Sequence, residues 1–429
     1  MERGVEWDFE PTLDRIVALL DLLGSPQRAF PVVHIAGTNG KTSTARLTEA
    51  LLRERNLRVG RFTSPHLVSM RERIVVDGEP LSEERFAAVY EEIAPYVELN
   101  DTRGRRIQFF ELLTAMAFAA FADTPVDVAV IETGMGGTWD ATNVMDPVVS
   151  VITPISLDHT DRLGPDIPSI AAEKAGIIKA GATTILAQQE LEAAEVLMHK
   201  AVEVGAVVAR EGLEFGVLSR EVAMGGQLLT LRGLKGVYED VYLPLYGAHQ
   251  ASNAACALAA VEAMTGGDDP LDIELVRQGF AQAASPGRLE VVRRSPTVVL
   301  DAAHNTGGMT ATLDGLHEAF DFAKVIGVVA VMADKDVSGL LELLEPVLDQ
   351  IVVTRNSSPR SMPADELGEL AAGLFGEDRV HVVGRLDDAI DRGLAIADAE
   401  GEFSGTGVLI TGSVVTAGDA RLLLKVDQP

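Results

Sequence analysis

The chain has 429 residues, 47% of them hydrophobic, enough to build buried cores in two domains or more. Its 36 basic and 64 acidic residues leave a net charge of −28, so nucleic acid and anionic membrane are poor partners, and an anionic ligand needs positive charge gathered locally. One cysteine excludes an intrachain disulfide, and no apolar run reaches membrane-spanning length; with Met1 to Glu10 charged and lacking the apolar core of a signal peptide, a soluble cytoplasmic protein is predicted.

Leu13 to Leu23 carries apolar residues at helical spacing and stops at Gly24, a helix C-cap. Pro31 to Ala36 is a short β-branched run, the composition of a buried parallel strand. It leads into Gly37-Thr38-Asn39-Gly40-Lys41-Thr42 and then a helix through Ser43. Strand, Gly-rich turn and helix opening on Lys-Thr form a phosphate cradle, in which free backbone N–H groups and the helix dipole face an anion. Lys41 would reach the β/γ-phosphates, and the Thr42 hydroxyl would sit on Mg²⁺. A standard P-loop has Gly five residues before Gly40, where this chain has Ile35.

Arg58 to Leu67 reads as a short strand broken at Ser64-Pro65, with Arg71 and Arg73 close by in sequence. Ser82 opens a helix running to Tyr96, and Gln108 to Asp123 is an apolar helix with Glu111 near its start. Asp127 to Ile131 is a buried strand that delivers Glu132 at its carboxyl end, where open α/β sheets bind ligands. Val148 to Ile152 is the next strand and leads to Asp158-His159-Thr160. A helix from about Ile170 carries Glu173 and Lys174, Ile185 continues the sheet, and residues 205–243 read as an antiparallel insertion. The helix leading from Tyr246 through Asn253 to Met264 includes Cys256, which reads as buried filler in an Ala-rich run.

The pattern resets near Ser285-Pro286-Gly287-Arg288. Beyond it, strands at Thr297–Leu300, Val325–Val331, Gln350–Thr354, Val380–Val383 and Val408–Thr411 alternate with helices. The expected fold is α/β in two domains. Residues 1–290 form a P-loop ATPase-type domain on a mostly parallel sheet, and residues 291–429 a smaller Rossmann-like domain.

Around the cradle the sequence offers a hydroxyl at Thr42 or Ser64, a carboxylate at Glu132, an imidazole at His159 and an amine at Lys174. A carboxylate and a hydroxyl suit Mg²⁺, which takes oxygen ligands. A lone histidine or helix lysine has structural readings as well.

The motifs Gly37–Thr42, Thr63-Ser-Pro-His66, Phe110-Glu111, Glu132 before Gly134-Met-Gly-Gly137, Leu157–Thr160, Glu173–Ile177, His249–Asn253, Pro286–Arg288, Leu300–Asn305 and Thr411–Ser413 occur in this order. Together they resemble the folylpolyglutamate synthase/dihydrofolate synthase family of the Mur ligase superfamily, from about Leu13 to Arg421. The cradle spacing is similar to that superfamily's own P-loop.

The resemblance implies an ATP-dependent ligase that adds L-glutamate to folates through an acyl phosphate and to dihydropteroate as well, with a ligase for folates alone as the alternative. It implies nucleotide contacts from Gly37, Thr38, Asn39, Gly40, Lys41, Thr42, Ser43, Asn253, Arg288 and Asp301. Ser64, Glu132, His159 and Lys174 match metal positions, for two Mg²⁺ ions and a monovalent cation, with Lys174 carbamylated. Lys41, Lys174 and His159 are the catalytic candidates. Gln108, Phe109 and Trp139 match pterin contacts, and His304 and Ser413 lie where the incoming glutamate is held. A monomer acting on small molecules is expected. Two departures bear on substrate preference: Thr138-Trp139 stands where many members have Arg-Leu, and Gln108 where some have Thr. The residues alone leave open a Mur-type ligase for a cell-wall precursor and a P-loop switch that hydrolyses nucleotide to change partners.

Overall fold

The structure is a computed structural model and describes residues 10–401 and 405–426. Part of the charged Met1–Glu10 segment read above therefore lies outside the described residues. No helix among the described residues is long and apolar enough to cross a membrane.

The strands are β1 (Val32–Ala36), β2 (Val59–Phe62), β3 (Ile74–Val76), β4 (Glu79–Pro80), β5 (Val128–Glu132), β6 (Val149–Ile152), β7 (Thr183–Leu186) and β8 (Val207–Arg210). They form one sheet in the order β4-β3-β2-β5-β1-β6-β7-β8, parallel except at the β2-β3-β4 edge. Helices α1 (Asp14–Leu22), α2 (Lys41–Glu54), α3 (Glu83–Thr102), α4 (Phe109–Asp123), α5 (Thr160–Leu163), α6 (Ile167–Lys174), α7 (Leu191–Val204), α8 (Ala248–Thr265) and α9 (Ile273–Ala281) cover it. Side chains alternate across the central strands. Val33, Ile35, Val128 and Val130 pack with α2, α8 and α9, while Val32, Ala129 and Ile131 pack with α1, α3 and α4. Both faces are buried, so the strands read as continuous apolar runs rather than alternating ones.

Three boundaries differ from the sequence reading. Helix α3 continues six residues past Tyr96 to Thr102, straight through Pro95. Pro95 lies on the exposed side while Val89, Ile93 and Val97 hold the other side in the core, so packing outweighs the lost backbone hydrogen bond. Helix α6 begins at Ile167 rather than near Ile170, because the Asp166 carboxylate accepts from Ser169 N at 2.9 Å and caps the earlier turn. Residues 207–210 are not part of the antiparallel insertion: β8 joins the main sheet in parallel with β7. The insertion is the three-stranded sheet of β9 (Gly216–Ala223), β10 (Gly226–Arg232) and β11 (Val237–Leu243).

A second sheet takes β12 (Glu290–Arg294), β13 (Thr297–Leu300), β14 (Lys324–Val329), β15 (Gln350–Val353), β16 (Val380–Val382) and β17 (Thr406–Thr411) in the order β12-β13-β17-β14-β15-β16. Only the edge strand β12, absent from the sequence reading, is antiparallel. Helices α10 (Thr306–Ala319), α11 (Val337–Leu344), α12 (Ala364–Phe375), α13 (Leu386–Ala399) and α14 (Val414–Leu423) flank it. Its core lies on both faces, with Leu340, Leu341 and Leu367 on one and Ala389, Ile390 and Ala420 on the other. The carboxyl ends of β1, β5 and β6 and the loops after β13 and β17 border a common cleft.

Candidate active site

The Gly-rich loop joins β1 to α2 and is wedged between the end of β6 and α8. Gly37 has φ +148° and Gly40 φ +88°; a Cβ at Gly37 would overlap Thr153 Oγ1, and one at Gly40 would overlap Asn253 Oδ1. Thr38 N and Asn39 N donate to Pro154 O at 3.0 and 3.2 Å, fixing the loop on the neighbouring strand's exit. Lys41 Nζ lies back across its own loop and donates to Gly37 O and Thr38 O, both at 3.1 Å. Lys174 Nζ, from the last residue of α6, donates to the same Gly37 O at 2.7 Å. Two lysine side chains thus converge on one carbonyl.

Thr42 Oγ1 donates to Glu132 Oε2 at 2.9 Å, and Ser64 N approaches the same oxygen at 3.4 Å. The Ser64–Pro65 peptide is cis. Burial pushes the Glu132 carboxyl up, while Lys41, Thr42, Ser64 and Arg288 pull it the other way. Burial, reinforced by Lys41, pushes the Lys174 amine down to about 7. Burial also lowers His159 to about 4, against the pull of Asp158, so its imidazole is neutral near pH 7.

Asn253 Oδ1 receives Thr44 Oγ1 at 3.4 Å, and Ser43 Oγ shares a hydrogen bond with Ser285 Oγ at 3.0 Å. Asp301 anchors its own loop, accepting from Leu289 N, Ala303 N and Thr312 Oγ1 at 2.8–2.9 Å. Residues Gly37 to Ser43, Asn253, Arg288 and Asp301 all line one cavity of about 310 Å³, together with Ser64, Glu132, His159 and Lys174. Among the described residues no three His, Cys, Asp or Glu side chains cluster tightly enough to hold a metal ion by themselves. The Thr42 hydroxyl and the Glu132 carboxylate nevertheless offer hard oxygen donors beside a phosphate cradle, which suits Mg²⁺ completed by phosphate oxygens.

A second, more apolar cavity of about 480 Å³ adjoins the first. Gln108, Phe109 and Trp139 line it with Phe110 and Met135, and α14 contributes Val414 and Val415. Gln108 caps α4, its N–H donating to Glu111 Oε2 at 2.8 Å, and Glu111 is held by Arg15 Nε at 3.0 Å. Ser413 borders this cavity, but its hydroxyl is engaged with Thr416 N and Asn356 Nδ2, each at 3.0 Å, at the start of α14. The two cavities meet at a seam: Ser64, Pro65, Gly134, His159 and His304 line both.

Sequence reasoning gave no role to three residues of the cavity walls, Arg15, Asp158 and Lys335, nor to Asn305 behind them. Asp158 and Asn305 stand inside quoted motifs, whereas Arg15 and Lys335 carry no local signal. Asp158 Oδ1 accepts from Lys335 Nζ at 2.5 Å, and Asp158 Oδ2 from Asn305 Nδ2 at 3.1 Å. Burial alone would raise the Asp158 carboxyl, but His304, His159 and Lys335 around it hold it well below the usual carboxylate range.

The Mur ligase middle domain family matches residues 35–261, and the Mur ligase glutamate ligase domain family matches residues 287–414. A dihydrofolate synthase/folylpolyglutamate synthase of Mycobacterium tuberculosis is 52% identical, with 99% of this chain and 92% of that protein covered. One of the same name from Escherichia coli is 34% identical over 94% of this chain and 89% of that protein. Among solved structures, M. tuberculosis folylpolyglutamate synthase complexed with ADP and AMPPCP superposes with a TM-score of 0.95 at 53% identity, covering 98% of this chain and 96% of that one. E. coli FolC in complex with DHPP and ADP gives a TM-score of 0.86 at 31% identity, covering 99% of this chain and 95% of that one.

Proposed function

The chain belongs to the folylpolyglutamate synthase/dihydrofolate synthase family of the Mur ligase superfamily, and from that premise we propose how its two cavities divide the work of an ATP-dependent glutamate ligase. The enzyme joins L-glutamate to folates, with ATP as the energy source. The observation that carries the residue-level reading is the seam, where a phosphate cradle and an apolar cavity share Ser64, His159 and His304.

The backbone of Gly37–Ser43 receives the nucleotide phosphates, with Asn253 on α8, Arg288 just before β12 and Asp301 just after β13 completing its pocket. Lys41 leaves the carbonyls of Gly37 and Thr38 to reach the transferring phosphoryl group. Thr42, Ser64, Glu132 and His159 would hold Mg²⁺, with Lys174 placed for a second ion; bound there, the metal screens charge between polyphosphate and acceptor carboxylate. The depressed Lys174 amine supports its conversion by CO₂ into an oxygen-bearing carbamate, since the neutral amine is the form that attacks. Gln108, Phe109 and Trp139 hold the flat heterocycle, so that its carboxylate tail points to the seam. His304 and Ser413 border the approach of the glutamate amine to the acyl phosphate. A pocket closed by two domains excludes water from that hydrolysable intermediate.

Both dihydropteroate and tetrahydrofolate serve as acceptors in this reading, which the double name of the bacterial relatives supports. The working unit in this reading is a monomer. ADP release with glutamate and MgATP tests both acceptors. Turnover with each acceptor is expected. Turnover with tetrahydrofolate alone would remove the dihydrofolate synthase activity, and turnover with neither would overturn the ligase reading.

A further inference from the structure

Asp158 sits on the loop after β6, yet most of its partners come from the second domain. Lys335 Nζ donates to Oδ1 at 2.5 Å, Asn305 Nδ2 donates to Oδ2 at 3.1 Å, and His304 Nε2 stands 3.6 Å from Oδ2. Asn305 is also paired with the Gly-rich loop: Asn39 Nδ2 donates to Asn305 Oδ1 at 3.2 Å, and Asn305 Nδ2 returns a bond to Asn39 Oδ1 at 3.1 Å. The same Asn305 Oδ1 accepts from Gly308 N at 2.7 Å and caps α10. The side chains of Asp158 and Lys335 are only 8% and 11% exposed, so the carboxylate is largely desolvated and depends on these donors.

We propose that Asp158 is a positioning residue for ligation: through Lys335 and Asn305 it fixes the second domain, and with it His304, against the Gly-rich loop. Asp158 touches neither reacting group in this role. It sets where His304 stands at the seam, and a misplacement of 1 Å in such a site costs on the order of 10²-fold in rate. Because Asn305 binds Asn39 and Asp158 with one amide, the position of the loop that cradles phosphate is linked directly to the position of α10.

The proposal rests on the ligase reading, so its test has one arm that needs no turnover. Spin labels on cysteines introduced at the exposed positions Glu98 and Asp391 report the spacing of the two domains, and the buried Cys256 stays unlabelled. A narrow distance distribution in the parent chain that broadens in Asp158→Asn and in Lys335→Gln is expected; an unchanged distribution overturns the proposal. In the kinetic arm, each single substitution lowers kcat/KM for glutamate by about 10-fold, and the double substitution costs no more than the larger single. Additive losses overturn the linkage. Lys335→Arg retains most activity, and ADP affinity measured without other substrates is not reduced in Asp158→Asn; a matching loss of ADP affinity would mark mere damage to the first domain and overturn the role. A parent chain inactive with every folate would refute the ligase reading alone, because the distance arm still decides the position of the second domain.

Discussion

The polar cavity at the Gly-rich loop is assembled mostly from backbone and from side chains at strand ends, in a few contiguous motifs. The apolar cavity beside it is assembled from side chains on α4, the loop after β5, the start of α14 and the segments near Arg15 and Lys335. In the first, Gly37 and Gly40 leave no room for a side chain and the loop is bonded to Pro154 O, so its shape is set before any ligand arrives. In the second, shape follows the rotamers of Phe109, Phe110 and Trp139, all half-buried. A rigid backbone cradle serves the invariant part of a reaction, and a side-chain wall serves the part that varies with substrate.

Three changes sharpen that contrast. Lys41→Ala is expected to have the largest effect. If Lys41 follows charge onto the transferring phosphoryl group as proposed, turnover falls by about 10³-fold or more with an unaltered thermal midpoint. Residual ADP release within tenfold of the parent would show that the cradle works through backbone alone. Trp139→Ala comes second. It strips aromatic surface from the apolar wall, raising KM for the folate acceptor about 10- to 100-fold while KM for ATP stays put. Equal rises in both would mean that the cavities are not functionally separate.

The smallest effect concerns the strand beneath the cradle. His34 on β1 is fully buried, its Nε2 is 2.8 Å from Thr142 Oγ1, and its Nδ1 has no partner. Burial, helped by Lys179, lowers it to about 3 from 6.5. The unfolded chain therefore takes up a proton that the folded chain refuses, and stability present above pH 6.5 is lost as pH falls toward 3. The slope is about 1.4 kcal/mol per pH unit for one proton. His34→Gln removes that slope from denaturation midpoints measured between pH 6.5 and 4.5; an identical slope in the variant would assign it to other groups.

The same contrast decides what the sequence made legible. Lys41 and Glu132 could be placed because strand, turn and helix are neighbours in sequence, and a residue at the carboxyl end of a parallel strand must face the cleft. Cys256 could be read as buried from its Ala-rich surroundings, and it is 1% exposed. The run of α3 through Pro95 was hidden because local propensity opposes it and only tertiary packing decides. The move of β8 into the main sheet was hidden because an edge strand with one buried residue, Ala209, looks like any short β segment. Lys335 had no signal at all: its partner Asp158 lies 177 residues away, and the pairing exists only once two domains meet.

The seam has a consequence for molecules other than substrates. Since Ser64, His159 and His304 border both cavities, a phosphate mimic and a flat heterocycle joined by a short linker could occupy both at once. Each half would then hold the other at an effective concentration in the millimolar range, so the joined compound would bind far more tightly than either half. Such a compound would also be hard to evade if the two cavities take the phosphates and the acceptor as proposed, because substitutions that reject it at the seam fall on residues lining both.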